Sequence, residues 1–174
     1  MPSINTLKEL LVDELKDLYS AENQLIKALP KMAKAASNED LKQGFTDHLL
    51  QTRGHVERLN EAFKILDEKP TGKTCHAMKG LVEEGAEAIE TDGPDAVRDA
   101  CLIGAAQRVE HYEIAAYGTA HAFAKTVGED EIAELLEATL AEEGETDKKL
   151  SQLSKVVNTA ANEEGEDGED EEEA

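Results

Sequence analysis

The chain has 174 residues, 40% of them apolar, with 3% aromatics and no tryptophan, so one compact domain with a leucine- and alanine-rich core is expected. That composition argues against a β-sandwich, which draws on more β-branched and aromatic side chains. A formal net charge of −21 argues against nucleic acid and anionic membrane surfaces as partners.

Residues 3 to 36 read as one long helix with Ser3 as its N-cap. Leu7, Leu11, Leu15, Leu18, Leu25, Leu29 and Met32 recur at steps of three, four or seven, which is one stripe of a helix. Pro30 lacks a backbone donor and is expected to kink or split this helix near residues 26 to 29. Ser37-Asn38-Glu39-Asp40 is a break and a cap, followed by a second helix over residues 38 to 67 with Leu41, Phe45, Leu49, Val56, Leu59, Phe63 and Leu66 inward. So short a link makes the two helices antiparallel neighbours. Residues 68 to 75 read as a loop and residues 76 to 91 as a shorter helix carrying Met78, Leu81, Val82 and Ile89. Thr91-Asp92-Gly93-Pro94 ends it and opens a third long helix over residues 94 to 126, with Pro94 in its first turn and Gly128 as its breaker. A fourth runs from 129 to about 158, with Ile132, Leu136, Leu140, Leu150, Leu153 and Val157 inward.

From residue 160 on, no apolar side chain is larger than alanine, and Glu163 to Glu173 holds nine acids and no base. Residues 160–174 are therefore expected to be a disordered acidic tail on a helical bundle of residues 1–159. Without those nine, 30 acids face 18 bases, a net −12 that suits a soluble protein. The amino-terminal segment has no apolar core of a signal peptide, and no stretch approaches 18 continuous apolar residues. Cys75 and Cys101 lack metal-type spacing and read as reduced thiols of a cytoplasmic protein.

Two long helices, a short one, then two more long ones describe an all-α fold: a ferritin-like four-helix bundle whose single long crossover carries a short fifth helix. An up-down bundle with an appended helix is the alternative. Within that order, several charged residues fall on apolar stripes. Helix one reads Leu, Leu, Leu, Glu, Leu, Leu at 11, 15, 18, 22, 25 and 29, which turns Glu22 inward. The third long helix turns Glu113 inward, with Glu110 one turn before it, and the last turns in Glu143 and Asp147. On helix two His48, Gln51 and His55 are the polar residues of a face otherwise formed by Phe45, Thr52 and Leu59.

Burying unpaired carboxylates is costly, and several converging with few bases beside them repel one another. A divalent cation resolves that conflict. Oxygen donors with one or two imidazoles suit iron or manganese, with zinc possible, at one or two ions per chain. The candidate ligands are Glu22, Gln51, His55, Glu110, Glu113, Glu143 and Asp147. Tyr19-x-x-Glu22 also echoes Glu110-x-x-Glu113, and Gln51-x-x-x-His55 echoes Glu143-x-x-x-Asp147, as a two-metal site with pseudo-twofold symmetry would need. The competing explanation is chance: with 39 acids, some fall beside an apolar stripe and reach solvent, and a core histidine is commonly just hydrogen-bonded. His76, His111 and His121 read as structural or exposed.

The segments LYSAENQL (18–25), HLLQTRGHVERL (48–59), AMKGLVEEG (77–85), AAQRVEHYEIAAYGTA (105–120) and LAEEGETDKKL (140–150) resemble the YciE/YciF-type stress proteins of the ferritin-like superfamily. The resemblance spans about residues 4 to 157 and leaves the tail outside. It implies a bundle with a crossover, homodimers, and a di-metal site related to rubrerythrin and manganese catalase. Glu22, Glu110, Glu113, Glu143 and Asp147 match the family's pattern. Helix two departs from it: relatives read HLEET where this chain has Leu50 and Gln51, and Arg53 stands where relatives can carry histidine. A neutral Gln51 and a cation at residue 53 would weaken a second ion's site.

The leading expectation is therefore a metal-binding stress protein that handles peroxide or oxygen between carboxylate-bridged ions. The rival is a dimeric, non-enzymatic bundle whose inward acids pair with bases, Arg58 and Arg108 being the candidates. No residue is assigned a catalytic role.

Overall fold

A computed structural model of the chain describes residues 4–172, the last nine of these by their backbone alone. The first helix, α1, runs Leu7–Ala35. Thr6 caps it, accepting from the Glu9 amide at 3.1 Å while the Glu9 carboxylate accepts from the Thr6 amide at 3.0 Å, a reciprocal capping box. Ser3, expected as the cap, lies outside the described residues. Pro30 does not split α1, which continues to Ala35 with the proline ring on its exposed side. The helix α2, Glu39–Ile65, starts at Asn38, whose side chain accepts from the Leu41 amide at 3.0 Å.

The crossover follows, carrying α3 at His76–Ile89, capped by Cys75. Pro94 then stands as the N-cap of α4, Asp95–Val127, one residue before the helical turn in which it was expected. Gly128, in the left-handed region at φ 82°, closes α4 and donates to the Ala124 and Lys125 carbonyls, a conformation glycine adopts without strain. The last helix, α5, spans Asp130–Glu172. It continues past residue 160, where the composition predicts disorder. Alanine and glutamate are good helix formers, and adding turns to an existing helix needs no new nucleus.

The four long helices form a square: α1 packs on α2, α2 on α5, α5 on α4 and α4 on α1. Each neighbouring pair is antiparallel. Lys8 near the start of α1 pairs with Glu129 at 2.6 Å, and the buried Asp99 near the start of α4 accepts from the Ser37 and Asn38 amides at 2.9 and 2.7 Å. Between α2 and α5, Arg58 reaches Thr139 at 3.0 Å, while Gln51 and Thr146 meet farther along. The crossover helix α3 lies against α1 and α4. This is the ferritin-like bundle with a crossover helix, not an up-down bundle.

Two apolar clusters divide the interior. One, toward the α4–α5 turn, joins Leu11, Leu15, Leu18, Leu59, Phe63, Ile132 and Leu136. The other, toward the α1–α2 turn, joins Leu25, Leu29, Met32, Leu41, Phe45, Met78 and Leu102. Between them lies a layer of buried charged residues. Among the described residues, no helix is long and apolar enough to cross a membrane.

Candidate metal centre

Each long helix brings polar side chains into that middle layer. Glu22 comes from α1, His48 and His55 from α2, Glu110 and Glu113 from α4, and Glu143 from α5, all buried. The spacing on α2 explains why two histidines meet there. Seven residues advance an α-helix to within about 20° of two full turns, so His48 and His55 stand almost in line. Their rings pack edge to face with centroids 6.2 Å apart.

The ligand-type atoms fall into two overlapping sets. One holds His48, Glu110, Glu113 and Glu143; the other holds Glu22, His55 and Glu143; within each set the atoms lie within 4.8 Å of one another. Glu143 belongs to both. His48 Nε2 is 3.3 Å from Glu110 Oε1 and 3.9 Å from Glu143 Oε2, and His55 Nδ1 is 3.1 Å from Glu143 Oε1 and 3.3 Å from Glu22 Oε1.

These atoms are close but not hydrogen-bonded to one another. Glu22 Oε2, His48 Nε2, His55 Nδ1, Glu110 Oε2 and both oxygens of Glu113 and Glu143 are buried without a hydrogen-bond partner. Buried polar groups are normally satisfied, so such a concentration of orphans needs a cause. A divalent cation fits the donor set: carboxylate oxygens with two imidazole nitrogens suit iron, manganese or zinc.

The electrostatics agree with that need. Burial, then the nearby Glu143, pushes the Glu110 and Glu113 carboxyls well above the ordinary range, and burial likewise raises Glu22. Burial lowers His48, which stays neutral. Burial also disfavours a charged His55, but the Glu143 and Glu22 carboxylates outweigh it and hold that imidazole up at about 10.

A ring of outer contacts orients these groups. His55 Nε2 sits 2.9 Å from Glu142 Oε2, and Glu142 is gripped by both Arg58 nitrogens, at 2.9 and 2.7 Å. With Nε2 turned to Glu142, His55 presents Nδ1 to the cluster. His48 Nδ1 lies 3.4 Å from Gln51 Oε1, an acceptor, which leaves Nε2 as the nitrogen facing Glu110 and Glu143. The Tyr117 hydroxyl donates to Glu22 Oε1. Thr52 turns its hydroxyl back to the His48 carbonyl at 2.8 Å.

Of the seven residues expected as ligands, Glu22, His55, Glu110, Glu113 and Glu143 are brought together. Gln51 and Asp147 are not. Gln51 lies behind His48. Asp147 faces α4, where it accepts from Gln107 at 3.3 Å and sits 3.3 Å from the exposed His111. Four residues beyond Glu143, a side chain stands about 6 Å farther along the helix as well as rotated about 40°, and Asp147 meets Gln107 instead of the centre. The pseudo-twofold echo fails for the same reason, and Tyr19 packs its ring against Phe63 in the apolar cluster.

His48, noted as a polar residue on an apolar face but not counted as a ligand, belongs in the first set; its heptad relation to His55 was the available signal. Arg53 is exposed, so no cation stands there beside the centre, and Leu50 is 61% exposed. The inward acids do not pair with the two expected arginines: Arg58 engages Glu142, and Arg108 lies 3.5 Å from Glu84 on the surface.

The profile of a family described as a domain of unknown function, DUF892, matches residues 6–162. Protein YciF of Escherichia coli (strain K12) is 46% identical over 153 residues, covering 87% of this chain and 92% of the relative. The crystal structure of the E. coli stress protein YciF matches with a TM-score of 0.87 and 44% identity, over 90% of this chain and 99% of the other. A ferritin-like, diiron-carboxylate protein from Bacillus anthracis matches with a TM-score of 0.68 over 87% of this chain and 99% of that one. At 19% identity this last likeness bears on the fold alone.

Proposed function

This chain belongs to the DUF892 family, and from that premise we propose that it is a metal-binding stress protein that holds iron or manganese in the bundle and acts on peroxide or oxygen. The observation that carries the reading is the group of orphaned carboxylate and imidazole atoms from all four long helices. His48, Glu110, Glu113 and Glu143 would hold one ion; Glu22, His55 and Glu143 would hold a second. Bound there, such ions supply Lewis acidity and, for iron or manganese, redox chemistry. The chain's own residues do the rest. Arg58 and Glu142 hold His55 in one orientation, and Gln51 does so for His48. The Tyr117 hydroxyl donates to Glu22 Oε1 and so fixes the orientation of that carboxyl. The apolar cluster toward the α4–α5 turn closes that side of the centre to water.

We further propose a homodimer in the cytoplasm, with residues 160–174 taking no part in the bundle. Light scattering on the full chain and on a chain ending at residue 159 tests both assembly and tail.

Metal content per chain, measured by elemental analysis after offering Fe(II), Mn(II) and Zn(II) in turn, tests the main reading. About two ions are expected in the parent protein. Glu22→Ala should retain the His48 set and lose one ion, whereas Glu143→Ala should lose both. Peroxide consumption by the loaded protein then tests the chemistry. No retained metal with any of the three ions would overturn the reading.

One observation favours a second reading. A protonated His55 between Glu22 and Glu143 is itself a charge cluster that would hold the helices together without a metal. In that case the protein is a non-enzymatic bundle, and His55→Gln would destabilise it equally with and without added metal.

A further inference from the structure

A cavity of about 680 Å³ opens among the helices on the α1–α2 turn side of the charged layer. Its volume lies within the roughly 300–1,000 Å³ of small-molecule sites. Leu25, Leu29, Met32, Phe45, Val82 and Leu150 make the walls strongly apolar. The inner end reaches His48 and Glu110, both buried and both with orphaned atoms. The rim is exposed and carries Lys27 and Lys31, one turn apart on α1, and Lys149 on α5, against Asp40 and Asp47 on α2. A lysine excess there stands out in a chain with 18 bases and 39 acids.

We propose that this cavity binds a single-chain anionic amphiphile, such as a fatty acid, with its carboxylate at the lysine rim and its hydrocarbon tail directed toward His48. The orientation follows from charge. The inner end is buried, so an anionic head placed there would lose its hydration, while the rim is open to solvent and offers three ammonium groups against two carboxylates, and the walls between are mainly apolar. A second copy of the chain fits less well. The space is concave and reaches the bundle interior, and the large apolar side chains exposed among the described residues, Ile4, Leu50 and Val156, lie outside it. The proposal does not depend on the metal reading, because tail and head contact residues that are present without an ion.

The test is calorimetric titration of the full-length, metal-free protein with decanoate, dodecanoate and tetradecanoate below their micellar concentrations, with dodecanol as a neutral control. Affinity should rise roughly fourfold for each added methylene until the cavity is filled. Ala106→Phe, which fills the wall on α4, should weaken dodecanoate by about tenfold or more. Gly44→Leu at the rim gives a second blocking variant. A Cβ there meets no atom within 4 Å, and replacing a helical glycine favours folding. Lys27→Glu with Lys31→Glu should weaken dodecanoate and spare dodecanol. Failure of all three acids to bind would overturn the proposal, as would binding that neither blocking variant weakens. Equal weakening of acid and alcohol by the lysine changes would overturn the assigned orientation. Since the protein carries no metal in this experiment, failure here and failure of the metal reading are separate results.

Discussion

The two apolar halves of the bundle use similar residues to different ends. Toward the α4–α5 turn, Leu11, Leu15, Leu18, Leu59, Phe63 and Leu136 fill the space between four helices, and almost nothing reaches solvent. Toward the α1–α2 turn, methionines join the leucines, a fifth helix leans in, and about 680 Å³ remains open beside the charged layer. The difference shows a division of labour along one set of helices. The closed half supplies packing that can hold unpaired acids in place, and the open half gives those acids an approach. Buried charge destabilises, so a bundle that keeps it must draw compensation from elsewhere in its core.

The largest effect expected breaks the comparison directly. Leu59→Ala in the closed half removes a filled side chain and should cost about 3–5 kcal/mol, whereas Leu29→Ala on the cavity wall should cost about 2–3 kcal/mol. The second change only enlarges a space that is already there. Urea unfolding of both variants without metal measures the pair; equal costs would mean that the cavity closes in solution.

A gain in stability is expected from the charged layer between them. Glu113 has two orphaned oxygens and a carboxyl that burial and its acidic neighbours push well upward. Glu113→Gln keeps the shape and removes the charge, so the metal-free protein should gain roughly 1–3 kcal/mol while losing metal. The same logic sets the pH dependence. Glu22, Glu110 and Glu113, raised above the ordinary 4.5, bind more protons folded than unfolded, so their contribution is present at low pH and fades as pH rises. His55, held at about 10 against an ordinary 6.5, fades in the same direction between those values. His48, lowered by burial, opposes them, its contribution being lost as pH falls below 6.5. The metal-free protein should therefore lose stability from pH 5 to pH 9. Metal competes with protons for these groups, so the difference in Tm between loaded and free protein should widen over that range, by several degrees. A difference that narrows with rising pH would argue against metal at these carboxylates.

Much of this was legible in the chain. The stripes and breaks gave the helices to within a few residues, the far end of α5 excepted, because leucine periodicity, Asn38 and Gly128 act locally. Glu22, Glu113 and Glu143 stood out because each interrupts an apolar stripe. What could not be read is what depends on neighbours in space. Asp147 shares an approximate face with Glu143, but one turn farther along, about 6 Å, it meets Gln107 instead. Arg53 is close to His55 in sequence and points to solvent. The cavity is made by five helices together and leaves no pattern in any one of them.

The smallest effect on stability, and the finest test of how the halves are joined, concerns Glu142. It lies at the edge of the charged layer, 32% exposed, paired to an Arg58 that is 27% exposed. Arg58, then the contact with His55, lowers the Glu142 carboxyl against a modest cost of burial, so it stays charged. Solvent screens a pair this open, and Glu142→Gln should cost only about 0.5–1 kcal/mol of folding stability. Its effect on the centre should be larger. The carboxylate is what turns His55 Nε2 outward and leaves Nδ1 facing Glu22 and Glu143, and an amide can present its NH₂ group to that nitrogen instead. Metal affinity should then fall about 10–100-fold, with the ion of the Glu22 set lost first. If affinity and stability fall in proportion, Glu142 only holds α2 to α5. If affinity falls alone, the Arg58–Glu142 pair orients the imidazole, and the centre's geometry is set from the surface of the bundle inward.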